Sequence, residues 1–379
     1  NKIDALAFGV AAAVSTSAGG GGLGGALAGA GSGVSNTINN TIEASIKGAD
    51  IGESQKVQAV NGGIQVLAAD YAVINADAGG VAIAVRAGAG SGTSASLAFG
   101  ASVALNDIEN TVSALVDNSV IEAQTDISLL AQSQAVVDAL TLAGSGSVAA
   151  GGGGSVGAAI AGAGAGSGNS ISNTIQAKIS GGSNITSTAG NLKVEAVDDA
   201  SIVADSMGGS VAVSAGSQTS VGVAVGVSVA VNDIDNTVKA AIENSTLTDI
   251  GDLTVAATAA GGIDAISVAA AVSIAAGTQT GVAVSGGGAV AVNYIGTDAS
   301  AYMSTTDAPF VDNVSITADN VAAIHAAIVS ISASFGFGGS TGVAVALGVS
   351  FASNIIGWEP ITGDDPTAYT PLESDYDYT

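Results

Sequence analysis

The feature that most constrains this chain is a short asparagine-centred segment that recurs along its length. It reads Asn36-Thr-Ile-Asn-Asn-Thr-Ile42, Asn106-Asp-Ile-Glu-Asn-Thr-Val112, Asn169-Ser-Ile-Ser-Asn-Thr-Ile175 and Asn232-Asp-Ile-Asp-Asn-Thr-Val238, with degenerate copies starting at Asn293 and Asn354. Successive starts lie 70, 63, 63, 61 and 61 residues apart. A fixed long period is the signature of a repeat architecture, in which one unit cannot bury its own apolar surface and stacked units can. Residues 1–357 therefore read as a single repetitive domain.

Each unit has the same internal order. An Ala-x-Ile strand such as Val238-Lys-Ala-Ala-Ile242 follows the asparagines, then a turn and a second strand such as Asp252-Leu-Thr-Val-Ala-Ala257. An Ala/Val/Ser strand comes next, then a small turn such as Gly216-Ser-Gln-Thr219, then a long strand returning to the next asparagine. That last strand alternates strictly, which is the period of a β-strand. Val221, Val223, Val225, Val227, Val229 and Val231 share one face, while Gly222, Ala224, Gly226, Ser228 and Ala230 share the other with Asn232. A sheet wetted on one side alternates apolar with charged residues. Here both faces avoid charge, and the pattern predicts that both are buried, with the valine face driving collapse.

The fold expected is all-β: a parallel β-solenoid of about six ~62-residue repeats with packed Val and Ala/Gly/Ser faces. Equivalent strands would stack in register ~4.8 Å apart, lining up Asn36, Asn106, Asn169, Asn232, Asn293 and Asn354 as a hydrogen-bonded ladder. Whether each repeat forms one large coil or about three short ones is left open by the spacing. The order Val-Ala-Val-Asn-Asp-Ile-x-Asn-Thr-x-x-Ala-x-Ile, followed by Gly-Asp-Leu-x-Val-x-Ala, is clearest at 221–257. It resembles the β-strand repeats of giant bacterial surface proteins, the filamentous-haemagglutinin-like and leukotoxin-type filamentous adhesins. The resemblance implies secretion to the cell surface and a structural or adhesive role, and it brings no catalytic residues.

Composition narrows the function. Only 10% of the 379 residues are charged, 32 acidic against 7 basic, for a net charge of −25. That sign disfavours nucleic acid and anionic lipid as partners. The uncharged stretch 139–177 is too rich in glycine for a membrane helix, and a membrane barrel would need aromatic girdles, so no membrane insertion is expected. With no cysteine, disulfides and thiolate metal sites are excluded. The chain opens at Asn1 without a leader-like segment, which reads as a processed form or an excised piece.

Catalytic equipment is sparse. His325, the sole histidine, could act as a general base on a strand face, yet it has no partner motif and reads as a tolerated strand residue. The turns carrying Asp107 with Glu109, and Asp233 with Asp235, are the candidate metal ligands, since paired oxygens at a strand end suit Ca²⁺. The rival reading is a solvated polar turn, because the acids are missing from other copies. Residues 358–379 shift to a Pro- and Tyr-containing acidic composition and read either as a linker or as an arm docking on a neighbour. The sequence thus points to a non-catalytic stalk, matrix or fibre segment whose partner is another copy or its own continuation, stacking head to tail. The alternatives are an adhesin or glycan-binding module and, less well supplied, a β-helical carbohydrate-active enzyme.

Overall fold

The computed structural model describes residues 1–18, 22–48, 56–153 and 155–357; the tail at 358–379 lies outside the described residues. The described chain is all-β, arranged in four sheets in which every strand pairing is parallel. The chain visits the sheets in a repeating order. Sheet I takes long strands such as Val73–Gly88 and Val136–Gly151. Sheet II takes the returning strands, Gly24–Ile38, Ser94–Ile108, Val156–Ile171, Thr219–Ile234, Thr280–Ile295 and Thr341–Ile356. Sheet III takes seven-residue strands such as Thr237–Glu243, and sheet IV very short ones such as Asn184–Ser187. The path then re-enters sheet I through strands such as Ile127–Ser133.

Register follows the sequence period. Asn36 pairs with Asn106, Asn106 with Asn169, Asn169 with Asn232, Asn232 with Asn293 and Asn293 with Asn354. Neighbouring strands thus come from segments about one long period apart, which decides for the large unit over three short ones.

Two kinds of core result. Where sheets III and IV close against the re-entering strands of sheet I, large side chains fill the space: Ile121, Leu129, Ile175, Ile185, Leu192 and Leu247 are fully buried. The corner between sheets III and IV turns through positive φ at Gly48, Asn118, Gly181, Asn244 and Thr305. Glycine and asparagine tolerate that region and threonine does so only under strain.

The long strands of sheets I and II instead form a thin blade, and here the expectation for the valine face is corrected. Ala224, Ser228, Ala230 and Asn232 are buried to within 1% exposure, whereas Val225 is 45% and Val227 40% exposed. The small face is the interior and the valine face points outward. The physical reason is the closeness of the two sheets. A Cβ added at Gly226 would meet the Ala270 carbonyl of the opposing sheet, and one at Gly208 would meet that of Val227. Face-to-face sheets ordinarily sit ~10 Å apart; without side chains at these points they approach more closely. Inner serines then reach across. Ser96 Oγ donates to the Ala84 carbonyl at 2.7 Å, Ser147 Oγ to that of Ser96 at 2.7 Å and Ser228 Oγ to that of Ser206 at 2.6 Å. A valine layer could neither fit this gap nor make those bonds.

Candidate functional site: the stacked asparagine corner

The recurrent asparagine segment lies where each sheet II strand ends and the chain bends into sheet III. Its first asparagine falls on the inward face of the blade, so stacking brings successive amides to hydrogen-bonding distance. Asn36 Nδ2 donates to Asn106 Oδ1, Asn106 to Asn169, Asn169 to Asn232, Asn232 to Asn293 and Asn293 to Asn354, each at 2.8 Å. Asn106, Asn169, Asn232 and Asn293 are all buried. A buried amide needs both its donor and its acceptor satisfied, and the ladder does this with one residue type. It has a direction: every Nδ2 points toward the next strand of the sheet.

A second ladder four residues on was missed by the sequence reading, although its asparagine stands in the same motif. Asn110 Oδ1 accepts the backbone N–H of Asn40 at 2.7 Å, Asn173 that of Asn110 at 2.7 Å and Asn236 that of Asn173 at 2.6 Å. These side chains satisfy the main chain where the strand ladder is interrupted by the bend. Two of their amide nitrogens reach the re-entering chain of sheet I, where Asn110 Nδ2 donates to Asp70 at 2.8 Å and Asn236 Nδ2 to Asp198 at 2.7 Å, while that of Asn173 has no partner among the described residues. Asp70 and Asp198 are buried at 2% and 1% exposure. Nothing local in the sequence marked these two acids, because their partners are about forty residues away along the chain.

Burial pushes the Asp198 carboxyl up to about 7, outweighing the hydrogen bond from Asn236, and the charge of Asp199 adds to the rise. Burial also raises Asp205 and Asp233, assisted by Asp138 and Asp235 respectively. A group whose folded pKa lies above its unfolded value of 3.8 binds its proton more tightly when folded. Its stabilising contribution is complete below the unfolded value and is lost as pH rises through about 7. The protein is therefore expected to gain about 2–3 kcal/mol of stability from Asp198 between pH 8 and pH 5. Thermal melts across that range check it: Asp198→Asn should flatten the slope and raise the melting temperature at pH 8, and an unchanged slope would refute the assignment.

No protein-family model, no curated protein and no solved structure matches the chain. The residues themselves must carry the reading.

The acidic candidates sit outside the ladder. Asp107 and Asp233 occupy one column of sheet II with Ser170 between them, above a shallow depression that also touches Asn106 and Asn169. Ser172 similarly separates Glu109 from Asp235 along the bend. Among the described residues no three acidic or histidine side chains gather as a metal site. Glu109 instead accepts a hydrogen bond from Asn39 Nδ2 at 3.2 Å. His325 lies exposed on the outer face of sheet I, its Nδ1 3.3 Å from Asp264 Oδ1, so its partner is a single solvent-exposed carboxylate. The better-formed charge cluster is on sheet III, where Glu243 accepts Lys178 at 2.7 Å, lies 3.5 Å from Lys239 and receives the Tyr302 hydroxyl. Lys239 sits 4.8 Å from the Tyr302 ring centre. Charge is thus concentrated at the thick end, and the distal blade is left nearly bare of it.

Proposed function

We propose that this chain is a non-catalytic structural segment of a secreted bacterial surface protein or extracellular fibre. It is a parallel β-solenoid of six large coils that lengthens by adding coils to its ends. The observation that carries this is the directional asparagine ladder running unbroken through six strands. Among the described residues, Asn36 Oδ1 has no donor at one end and Asn354 Nδ2 has no acceptor at the other. Those two ends match each other, as do the open edges of Gly24–Ile38 and Thr341–Ile356. A further coil, from a longer chain or from a second copy, would extend both the strand pairing and the ladder. An unpaired edge of this kind templates another strand, and a heterologous contact that does not close gives a filament. The resemblance of the repeat to filamentous surface adhesins supports the same reading.

Negative-stain electron microscopy of the whole chain is the test, with Asn354→Leu as the variant. The parent should form unbranched filaments that lengthen with concentration, and Asn354→Leu should shorten them while lowering stability by only about 1–3 kcal/mol, the cost of the one ladder bond from Asn293. A parent that stays monomeric at high concentration would overturn non-covalent stacking.

A further inference from the structure

The outer face of sheet II is a second unpartnered surface, distinct from the edges. Between the blade tip and the asparagines its six strands carry no charged residue. At ~4.8 Å between strands and ~3.3 Å per residue, the face covers about 900–1,000 Å². That matches the ~800 Å² each partner contributes to a stable protein–protein interface, and apolar patches of this size mark interaction sites.

Its relief identifies the occupant. The second, fourth and sixth strands present large side chains: Phe99, Val103 and Leu105 are 45–51% exposed, Val225 and Val227 40–45%, and Leu347, Val349 and Phe351 55–64%. At two levels, those of Val225 and Val227, the first, third and fifth strands present glycine. Gly29 and Gly31 lie in the first, Gly162 and Gly164 in the third, Gly286 and Gly288 in the fifth. A Cβ added at Gly29, Gly164, Gly286 or Gly288 would meet nothing within 4 Å, so these are open troughs between ridges.

We infer that a second copy of this chain packs face to face on sheet II, about a two-fold axis running along the strands. Rotation about that axis reverses the order of the strands, so the first faces the sixth, the second the fifth and the third the fourth. At these two levels ridge meets trough, and above and below them apolar side chains meet across the contact, Leu27 facing Val345 and Val103 facing Val290. Val227 settles over the partner copy's counterpart of Gly164, Phe99 over that of Gly286, and Leu347 and Val349 over those of Gly29 and Gly31, while Val225 meets the Phe99 ring that covers Gly162. Rotation about the stacking direction would set ridge on ridge. A fluid bilayer would gain nothing from this corrugation, and a net charge of −25 opposes anionic headgroups. The outer face of sheet I fits less well, because Asp77, Asp138 and Asp264 stand on it. The contact uses a face and not an edge, so it stands whether or not coils stack head to tail.

The test uses the whole chain. In the Asn354→Leu background, where coil stacking is suppressed, sedimentation should show a dimer at micromolar concentration, and adding Gly164→Trp, which fills a trough, should raise its dissociation constant about a hundredfold with no further change in the melting curve. Because the chain has no cysteine, Val227→Cys gives a clean reporter. A short-arm bis-maleimide should join two copies through it, and should not through Val211→Cys on sheet I. Head-to-tail filaments would survive Gly164→Trp while the cross-link through position 227 is lost, which separates this contact from coil stacking. Three results would each overturn the inference: Gly164→Trp dimerising as tightly as the parent, no covalent dimer through position 227, or a chain that stays monomeric in buffer and floats with phosphatidylcholine vesicles.

Discussion

Gly226→Ala is expected to destabilise the protein by several kcal/mol, while Val225→Asp, one residue away, melts within about 1 kcal/mol of the parent. Gly226 points into the blade. Its added methyl would run into the Ala270 carbonyl of the opposing sheet, with the Gly208 carbonyl at 2.9 Å. Both obstacles are backbone, so no rotamer change relieves them and the sheets must part locally. Parting them would also stretch the bond from Ser228 Oγ to the Ser206 carbonyl, made at 2.6 Å. Overpacking commonly costs about 1–3 kcal/mol when side chains can adjust, and this site leaves less room to adjust. The Val225 side chain points outward and is 45% exposed within one copy, so below the concentration at which copies pair a carboxylate placed there stays in water. The remaining cost is the modest strand propensity of aspartate. Guanidinium titration of both variants checks the pair. Equal destabilisation would mean that the valine face is buried after all.

The second large effect concerns the asparagine ladder. Asn169→Ala should cost about 2–6 kcal/mol, because it leaves two buried groups unpaired at about 1–3 kcal/mol each. Asn106 Nδ2 loses its acceptor and Asn232 Oδ1 its donor, both at 2.8 Å in the parent. Asn36→Ala should cost about half as much, since Asn36 makes a single ladder bond at the end of the stack. Asn169→Asp restores an acceptor for Asn106 but sets a carboxylate against the Asn232 oxygen, and should be no better than alanine. Equal costs at positions 36 and 169, measured by chemical denaturation, would show that the ladder contributes little beyond each strand's own packing.

The strongest predictor in the sequence was the phase of the asparagine relative to the alternation. It placed Asn232 on the same face as Ser228 and Ala224, and the parallel register aligned all six copies. The sequence reading then placed both faces in the interior and gave the valines the main driving force, following the usual weight of valine burial. That reasoning omitted a constraint already present in the motif: a ladder of amides and hydroxyls needs shielding from water, and it shares its face with alanine and glycine. The Ala/Gly/Ser/Asn face was therefore the better candidate for the inside. The second ladder was half legible, in Asn40, Asn110, Asn173 and Asn236, but Asp70 and Asp198 were not. Their role depends on the re-entering chain of sheet I passing opposite the bend, which no local pattern encodes.

By itself, then, the sequence determined the strand period, the long repeat, the parallel alignment of the asparagines and the scarcity of charge. These are one-dimensional properties, set by spacing and alternation along a single chain. The tertiary structure alone decided which face of the blade is interior, because that depends on how closely two sheets approach, and the approach is set by glycines and serines meeting backbone from another strand. It also decided that the exposed valines form ridges and the glycines troughs. That relief exists only across neighbouring strands, between residues more than sixty positions apart.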